Sequence, residues 1–179
     1  MSHDKVAIEV LVADQDYRAL IHRLLQRDDV ISGVGRNGGS AHLLLDLPLT
    51  WALGQLQNLD SVERARTVVV TQGSHPAYQD ALGSFHISGV VTTLDERTLL
   101  SSIYAAASAL RTYQWKSGLT YMELRVTRLL ISGVGTDEVA SLLRITSKTV
   151  NAHVSNILVK LGYENRAQYV ASLLGSHSA

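Results

Sequence analysis

LTYMELRVTRLLISGVGTDEVASLLRITSKTVNAHVSNILVKLGYENRAQ, residues 119–168, holds four runs of helical periodicity separated by helix-breaking signals. Thr120 and Glu123 stand at capping-box spacing, and Met122, Val126, Leu129 and Leu130 follow on one face. Gly133 and Gly135 end that run. Thr136 is the expected cap of a second helix, with Asp137 and Glu138 near its positive end and Val139, Leu142 and Leu143 as its apolar stripe. Ser147 is the expected cap of a third, whose inward face is Val150, Val154, Ile157, Leu158 and Leu161 and whose stop is Gly162. Asn165 caps a fourth, carrying Val170, Leu173 and Leu174.

The third helix has a second face, made of Lys148, Asn151, Ala152 and Ser155. These side chains are small, polar or basic, and they enter a major groove without clash. Asn pairs bidentately with adenine, Ala touches a thymine methyl and Ser bonds several base edges. Lys148, Thr149, His153, Asn156, Lys160 and Arg166 are candidates for phosphate contacts, which fix register without reading sequence. Spacing alone describes an ordinary solvated helix face equally well.

The stretch closely resembles the LuxR/NarL helix-turn-helix. The resemblance is carried by Leu119-Thr120, Glu123, Gly133, Glu138-Val139-Ala140, Leu143, Ser147, Thr149-Val150, His153-Val154, Ile157-Leu158, Lys160-Leu161 and Asn165-Arg166, without gaps. It implies a four-helix, all-α domain with residues 147–161 as recognition helix and Asn151, Ala152 and Ser155 facing bases. It further implies a transcription regulator that binds double-stranded DNA as a homodimer, pairing through the last helix near Tyr169. Members often carry Lys at the base-facing positions, so a different base preference is expected here.

Upstream, strand-like and helix-like segments alternate. Residues 5–13, 41–47, 66–71 and 87–92 read as strands, with a further short apolar run at 30–35. Residues 16–27, 49–59, 78–82 and 99–113 read as helices. The expected fold is a doubly wound α/β domain with a parallel five-stranded sheet, followed by the helical domain. The pattern changes near Tyr113, giving domains at 1–113 and 119–179 with a linker at 114–118.

The LuxR/NarL resemblance also implies a receiver domain in the first part. Asp14 follows the first strand, where receivers begin the acidic cluster that holds magnesium. Asp46 ends a strand at the phosphorylated position, and Thr71 matches the hydroxyl position. Three positions depart from the pattern. Gln15 stands at the second acidic place, with Asp16 next to it; Thr93 stands where a lysine is expected, and Val90 at the switch aromatic. Phosphoryl transfer needs clustered negative charge for the metal and a cation for the developing charge. The glycine-rich interval 30–40 leaves the second helix short or missing. An atypical receiver, not switched by ordinary aspartyl phosphorylation, is therefore expected. A conventional phosphorylation switch is one alternative. Another is a module that binds a small molecule or protein partner at the emptied pocket, with DNA binding secondary. Thr93 and Glu96 are spaced as a capping box, which would give Thr93 a structural task.

Bulk properties narrow the class. The chain has 179 residues and no cysteine, which excludes disulfides, thiol nucleophiles and Cys-based zinc sites. Net charge is zero, split as −2 over residues 1–116 (10 Lys/Arg, 12 Asp/Glu) and +2 over 117–179 (6 against 4). So small an excess favours dimeric binding, which doubles the phosphate contacts. Neither a membrane span nor a signal peptide is read, so a cytoplasmic protein is expected. Gly33, Gly35 and Gly38 satisfy a G-x-G-x-x-G pattern but lead into a strand, not the helix a dinucleotide site needs. The histidines lack metal-ligand spacing, and Asp14 and Asp46 lack any hydrolase context. No cofactor, metal or enzymatic activity is expected.

Overall fold

A computed structural model of the chain describes residues 6–14, 16, 18, 19, 21 and 40–175. These pack as two compact units. The first runs to Gln72 and resumes over Phe85–Tyr113; the second joins Gly73–Ser84 to the chain from Gln114 onward. The segment 73–84 thus groups with the C-terminal helices, an allegiance absent from the division at residues 113–119.

The first unit is built on β1 (Ala7–Leu11), β2 (Ser40–Asp46), β3 (Thr67–Thr71) and β4 (Gly89–Val91), all parallel and in the order β1-β2-β3-β4. The described residues hold four strands where five were expected. The short run at 30–35 lies outside them, as do Gln15 and the G-x-G-x-x-G motif. β2 (SAHLLLD) and β3 (TVVVT) are near-continuous apolar runs because both sheet faces are covered. Leu43 pairs with Val68 and Asp46 with Thr71 in register.

Among the described residues three helices complete the unit: α1 (Trp51–Asn58), α2 (Ser61–Ala65) and, further along, α4 (Glu96–Ala107). α4 lies across β2, β3 and β4 and buries Leu99, Ile103, Ala106 and Ala107 against Leu43, Leu45, Val68 and Val70. Each such large aliphatic contributes about 1.5–3 kcal/mol on burial. Leu44 and Val69 alternate to the opposite face and are equally buried. α1, which contacts β2, carries Ala52, Leu53 and Leu56 outside the α4 cluster.

α4 ends at Ala107, short of the expected Tyr113. Ala109 takes a left-handed φ of 52°, and the chain then turns back so that the Thr112 N–H and hydroxyl both donate to the Ser88 carbonyl (2.8 and 3.1 Å). The expected Thr93–Glu96 capping box does not form. Asp95 caps α4 by accepting from the Thr98 N–H (3.0 Å), while Thr93 Oγ1 accepts from the Asp95 N–H (3.1 Å).

The second unit contains α3 (Pro76–Gly83), α5 (Tyr121–Ile131), α6 (Thr136–Leu143), α7 (Ser147–Leu161) and α8 (Arg166–Leu173). α3 packs against α5, and every residue from Ala77 to Gly83 is buried. Among the described residues no helix is long and apolar enough to cross a membrane.

Candidate nucleic-acid interface

The capping box at Thr120 and Glu123 forms as the sequence suggests and starts α5. Glu123 is almost fully buried and does more than cap. Its Oε2 accepts from the Thr120 N–H (2.7 Å) and from Lys160 Nζ on α7 (2.7 Å). Burial pushes the Glu123 carboxyl up, but the Lys160 and Thr120 contacts outweigh it and hold the group below the usual carboxylate range. α8 is tied to α5 by the Tyr169 hydroxyl, 2.9 Å from Thr127 Oγ1. Tyr169 itself is fully buried and is a core residue of its own unit. Burial raises its phenol well above the ordinary value.

α6 and α7 are joined by a tight turn in which Arg144 adopts a left-handed conformation (φ 56°). Two expected caps shift by one residue. Thr136 is the first residue of α6, with Gly135 in the cap position and no side-chain cap bond. Thr146, not Ser147, caps α7, accepting from the Thr149 N–H (3.1 Å); Ser147 Oγ instead donates to Asp137 Oδ1 (2.6 Å) and links the two helices. Gly162 closes α7 with φ 76°, a conformation that favours glycine. Leu142, expected in the α6 apolar stripe, is 55 % exposed.

α7 buries Val150 and Ile157 against the other helices. This turns Lys148, Asn151, Ala152, Ser155 and Asn156 outward, all exposed, while Thr149 and His153 are half-buried at the flank. Two further phosphate candidates are engaged within the unit. Lys160 holds Glu123, and Arg166 donates to the Val134 carbonyl (2.7 Å) and Thr136 Oγ1 (3.2 Å), closing the loop between α5 and α6.

The receiver-like positions have separate environments. Asp14 is exposed and accepts from the Asp16 N–H (2.9 Å). Asp46 is fully buried. Its Oδ1 accepts from the Ala52 N–H (2.9 Å) and its Oδ2 from the Thr71 hydroxyl (2.8 Å). Thr50 offers α1 no side-chain cap, so the Asp46 carboxylate takes that place at the positive end of the helix. Thr93 is exposed and turned to the Asp95 amide.

The family of the bacterial regulatory proteins of the luxR type, GerE, matches residues 117–173. The spore germination protein GerE of Bacillus subtilis is 45% identical over 62 residues, which are 35% of this chain and 84% of that protein. The chain belongs to the LuxR family. The LuxR-type segment is also 46% identical over 52 residues to the response regulator protein VraR of Staphylococcus aureus, covering 29% of this chain and only 25% of VraR. Over the whole chain, RcsB of Salmonella enterica serovar Typhimurium, solved on promoter P1flhDC with a phosphomimetic, has a TM-score of 0.61 at 16% identity, covering 95% of this chain and 98% of that one. RcsB on promoter rprA gives 0.60 at 18%, covering 97% and 100%. The likeness to RcsB establishes fold: a receiver-type parallel sheet with helices, followed by the LuxR-type helical domain.

The helix read at residues 78–82 is present as α3, but its grouping with the LuxR-type helices is what sequence reasoning missed. His75 caps this helix, Nδ1 accepting from the Ala77 N–H (3.1 Å), with Pro76 at the first helical position. Nε2 therefore carries the proton and donates to the Tyr163 hydroxyl (2.8 Å), which also accepts from Ser172 Oγ (2.7 Å). Burial lowers the His75 pKa below its ordinary 6.5, and protonating Nδ1 would break the cap. As pH falls the unfolded chain takes up this proton first. The stabilisation is therefore complete above about pH 6.5 and is lost as pH drops below that toward the folded value. The melting temperature is expected to fall between about pH 7.5 and about pH 5.5, and less steeply in His75→Gln. Equal slopes in the two proteins would show that His75 does not contribute.

Proposed function

We propose that this chain is a sequence-specific DNA-binding transcription regulator, acting as a homodimer and not controlled by ordinary aspartyl phosphorylation. The observation that carries the reading is the outward face of α7, where Lys148, Asn151, Ala152 and Ser155 are all exposed on a helix anchored by buried Val150 and Ile157. Residues 119–179 supply the DNA-binding part. Asn151, Ala152 and Ser155 are assigned to base edges. Lys148, Thr149, His153 and Asn156 are assigned to phosphates. Lys160 and Arg166 serve chiefly as scaffold, in keeping with their bonds to Glu123, Val134 and Thr136. Solved structures of the fold neighbour RcsB, bound to promoters and as two dimers on two parallel DNAs, support both the partner and the dimer. A soluble regulator of this kind works in the cytoplasm, where its DNA is.

The test is fluorescence anisotropy with fragments selected from random DNA, repeated across salt concentrations. Each neutralised phosphate contributes about −0.9 to the slope of log affinity on log salt, so a dimer using Lys148 alone from each protomer gives a slope of about −2 or steeper. A flat salt response, or equal affinity for selected and random fragments, would remove the reading.

Phosphorylation independence rests on Asp46. Both carboxylate oxygens are engaged inside the protein, Thr93 faces Asp95, and no lysine stands at that position. Incubation with acetyl phosphate and magnesium is expected to leave the intact mass unchanged, with DNA affinity unaltered. Asp46→Ala is expected to lose about 2 kcal/mol of stability, because the Ala52 N–H and Thr71 hydroxyl lose a charged acceptor. Asp46→Asn, which keeps an acceptor for Ala52, loses less. Phosphorylation of Asp46, with acetate released from the donor, accompanied by tighter DNA binding would establish the conventional switch instead.

A further inference from the structure

The first unit has a pocket of about 220 Å³ at the carboxyl ends of its parallel strands. Crevices at this edge of a parallel α/β sheet are where such folds bind ligands. Leu45 and Val70 close its floor from β2 and β3, and Leu47 and Leu94 stand on the loops that follow β2 and β4. Thr92 and Thr93 supply hydroxyls beside them. None of the described lining residues is charged. The neighbouring carboxylate, Asp46, is buried with its oxygens on Ala52 and on the pocket residue Thr71.

We propose that this pocket binds a neutral, mainly apolar small molecule of one or two rings bearing a single hydroxyl or N–H. Among the described lining residues an anion or divalent cation would leave water for leucine and valine side chains with no opposite charge to meet it, at a cost of several kcal/mol. An apolar body gains by the same surfaces. Size sets the upper limit: an apolar cavity of about 150 Å³ holds benzene, whereas drug-sized ligands need about 300 Å³ or more. The polar tip is met at the exposed mouth, where Gln72 and Thr92 offer both donors and acceptors. Contact with Thr71 connects the occupant to Asp46 and so to the first turn of α1.

The experiment is a methyl NMR titration of the full chain with indole as the probe, alongside its melting temperature. Saturable shifts at the methyls of Ile21, Leu45, Leu47, Val70 and Leu94, with a dissociation constant of about 1 mM or tighter, are expected for a ligand of this size. The melting temperature rises with indole. Leu94→Trp, at a position 45 % exposed, blocks the mouth and weakens indole at least tenfold while the methyl spectrum of α5–α8 stays unchanged. Leu47→Trp provides a second, independently placed block. Shifts scattered over the surface, a titration that never saturates, or undiminished affinity in both variants overturns the proposal. So does displacement of indole by magnesium with beryllofluoride, which would mark an anion site.

Discussion

Asp80→Ala is expected to destabilise the chain by about 2 kcal/mol, since two part-buried backbone donors lose a charged acceptor. Asp80 is fully buried in α3. Its carboxylate accepts from the Lys116 N–H (3.0 Å to Oδ1, 2.9 Å to Oδ2) and from the Ser117 N–H (2.6 Å to Oδ2). A buried carboxylate without such donors would be far costlier than a neutral side chain, so these bonds are what make a charge tolerable there. They also change the meaning of residues 114–118. The expected linker is hydrogen-bonded to a helix thirty-odd positions earlier in the chain, just before Leu119 and the α5 capping box. Asp80→Asn tests whether charge is needed: one of its two terminal atoms becomes a donor facing another donor, so it should recover only part of the loss. Trp115 reports the event, because it stacks on Tyr121 at 6.2 Å with the rings 6° from parallel. In a Trp51→Phe background, urea unfolding followed by fluorescence should shift its midpoint with an unchanged slope. A loss under about 1 kcal/mol would mean that water replaces the carboxylate at little cost and that the linker is not held by Asp80.

The contrast between Thr120 and Asp80 shows what a sequence makes legible. The helices of residues 119–173 announce themselves through local rules: a capping box within four residues, apolar positions three and four apart, a glycine where the chain must turn left-handed. Where those rules admit neighbouring hydroxyls, the choice slips by one, as with Thr146 and Ser147. α2 was missed although Asp60 and Glu63 form the same kind of capping box, so an existing signal was overlooked. α3 is a different case. A helix buried on all sides has no polar face to mark its orientation, and Asp80 reads in isolation as a surface charge. Its partners are two backbone amides, which carry no side-chain signature. The burial of Tyr169 was hidden in the same way: a half-polar residue on the last helix fits a surface as well as a core, and only the Thr127 hydroxyl facing it decides. Asp46 was visible as the end of a buried strand, but its task as the acceptor for α1 depends on Thr50 providing no cap.

Asn151→Ala should leave the fold intact and cost between about fivefold and 150-fold in affinity for a selected DNA site, the range set by about 1–3 kcal/mol for a bidentate asparagine–adenine pair. The side chain is exposed on α7 and alanine is the better helix former, so stability should not fall. That separation matters, because any variant that unfolds the domain also abolishes binding. Random DNA gains nothing from base edges, so its affinity should barely change and the specificity ratio should collapse. Lys148→Ala supplies the contrast: weaker binding to all sequences alike and a salt slope shallower by about one unit for each phosphate released. Ala152→Leu completes the set. A branched side chain placed beside Asn151 and Ser155 lengthens the reach of that face and should exclude the groove approach, again without burial cost because Ala152 is exposed. The three substitutions lie within two turns of one helix, yet each predicts a different pattern of specificity, salt dependence and stability. If Asn151→Ala and Ala152→Leu bound the selected site as tightly as the parent, the outward face of α7 would not be in the groove, and the specificity would have to come from another surface of the same unit.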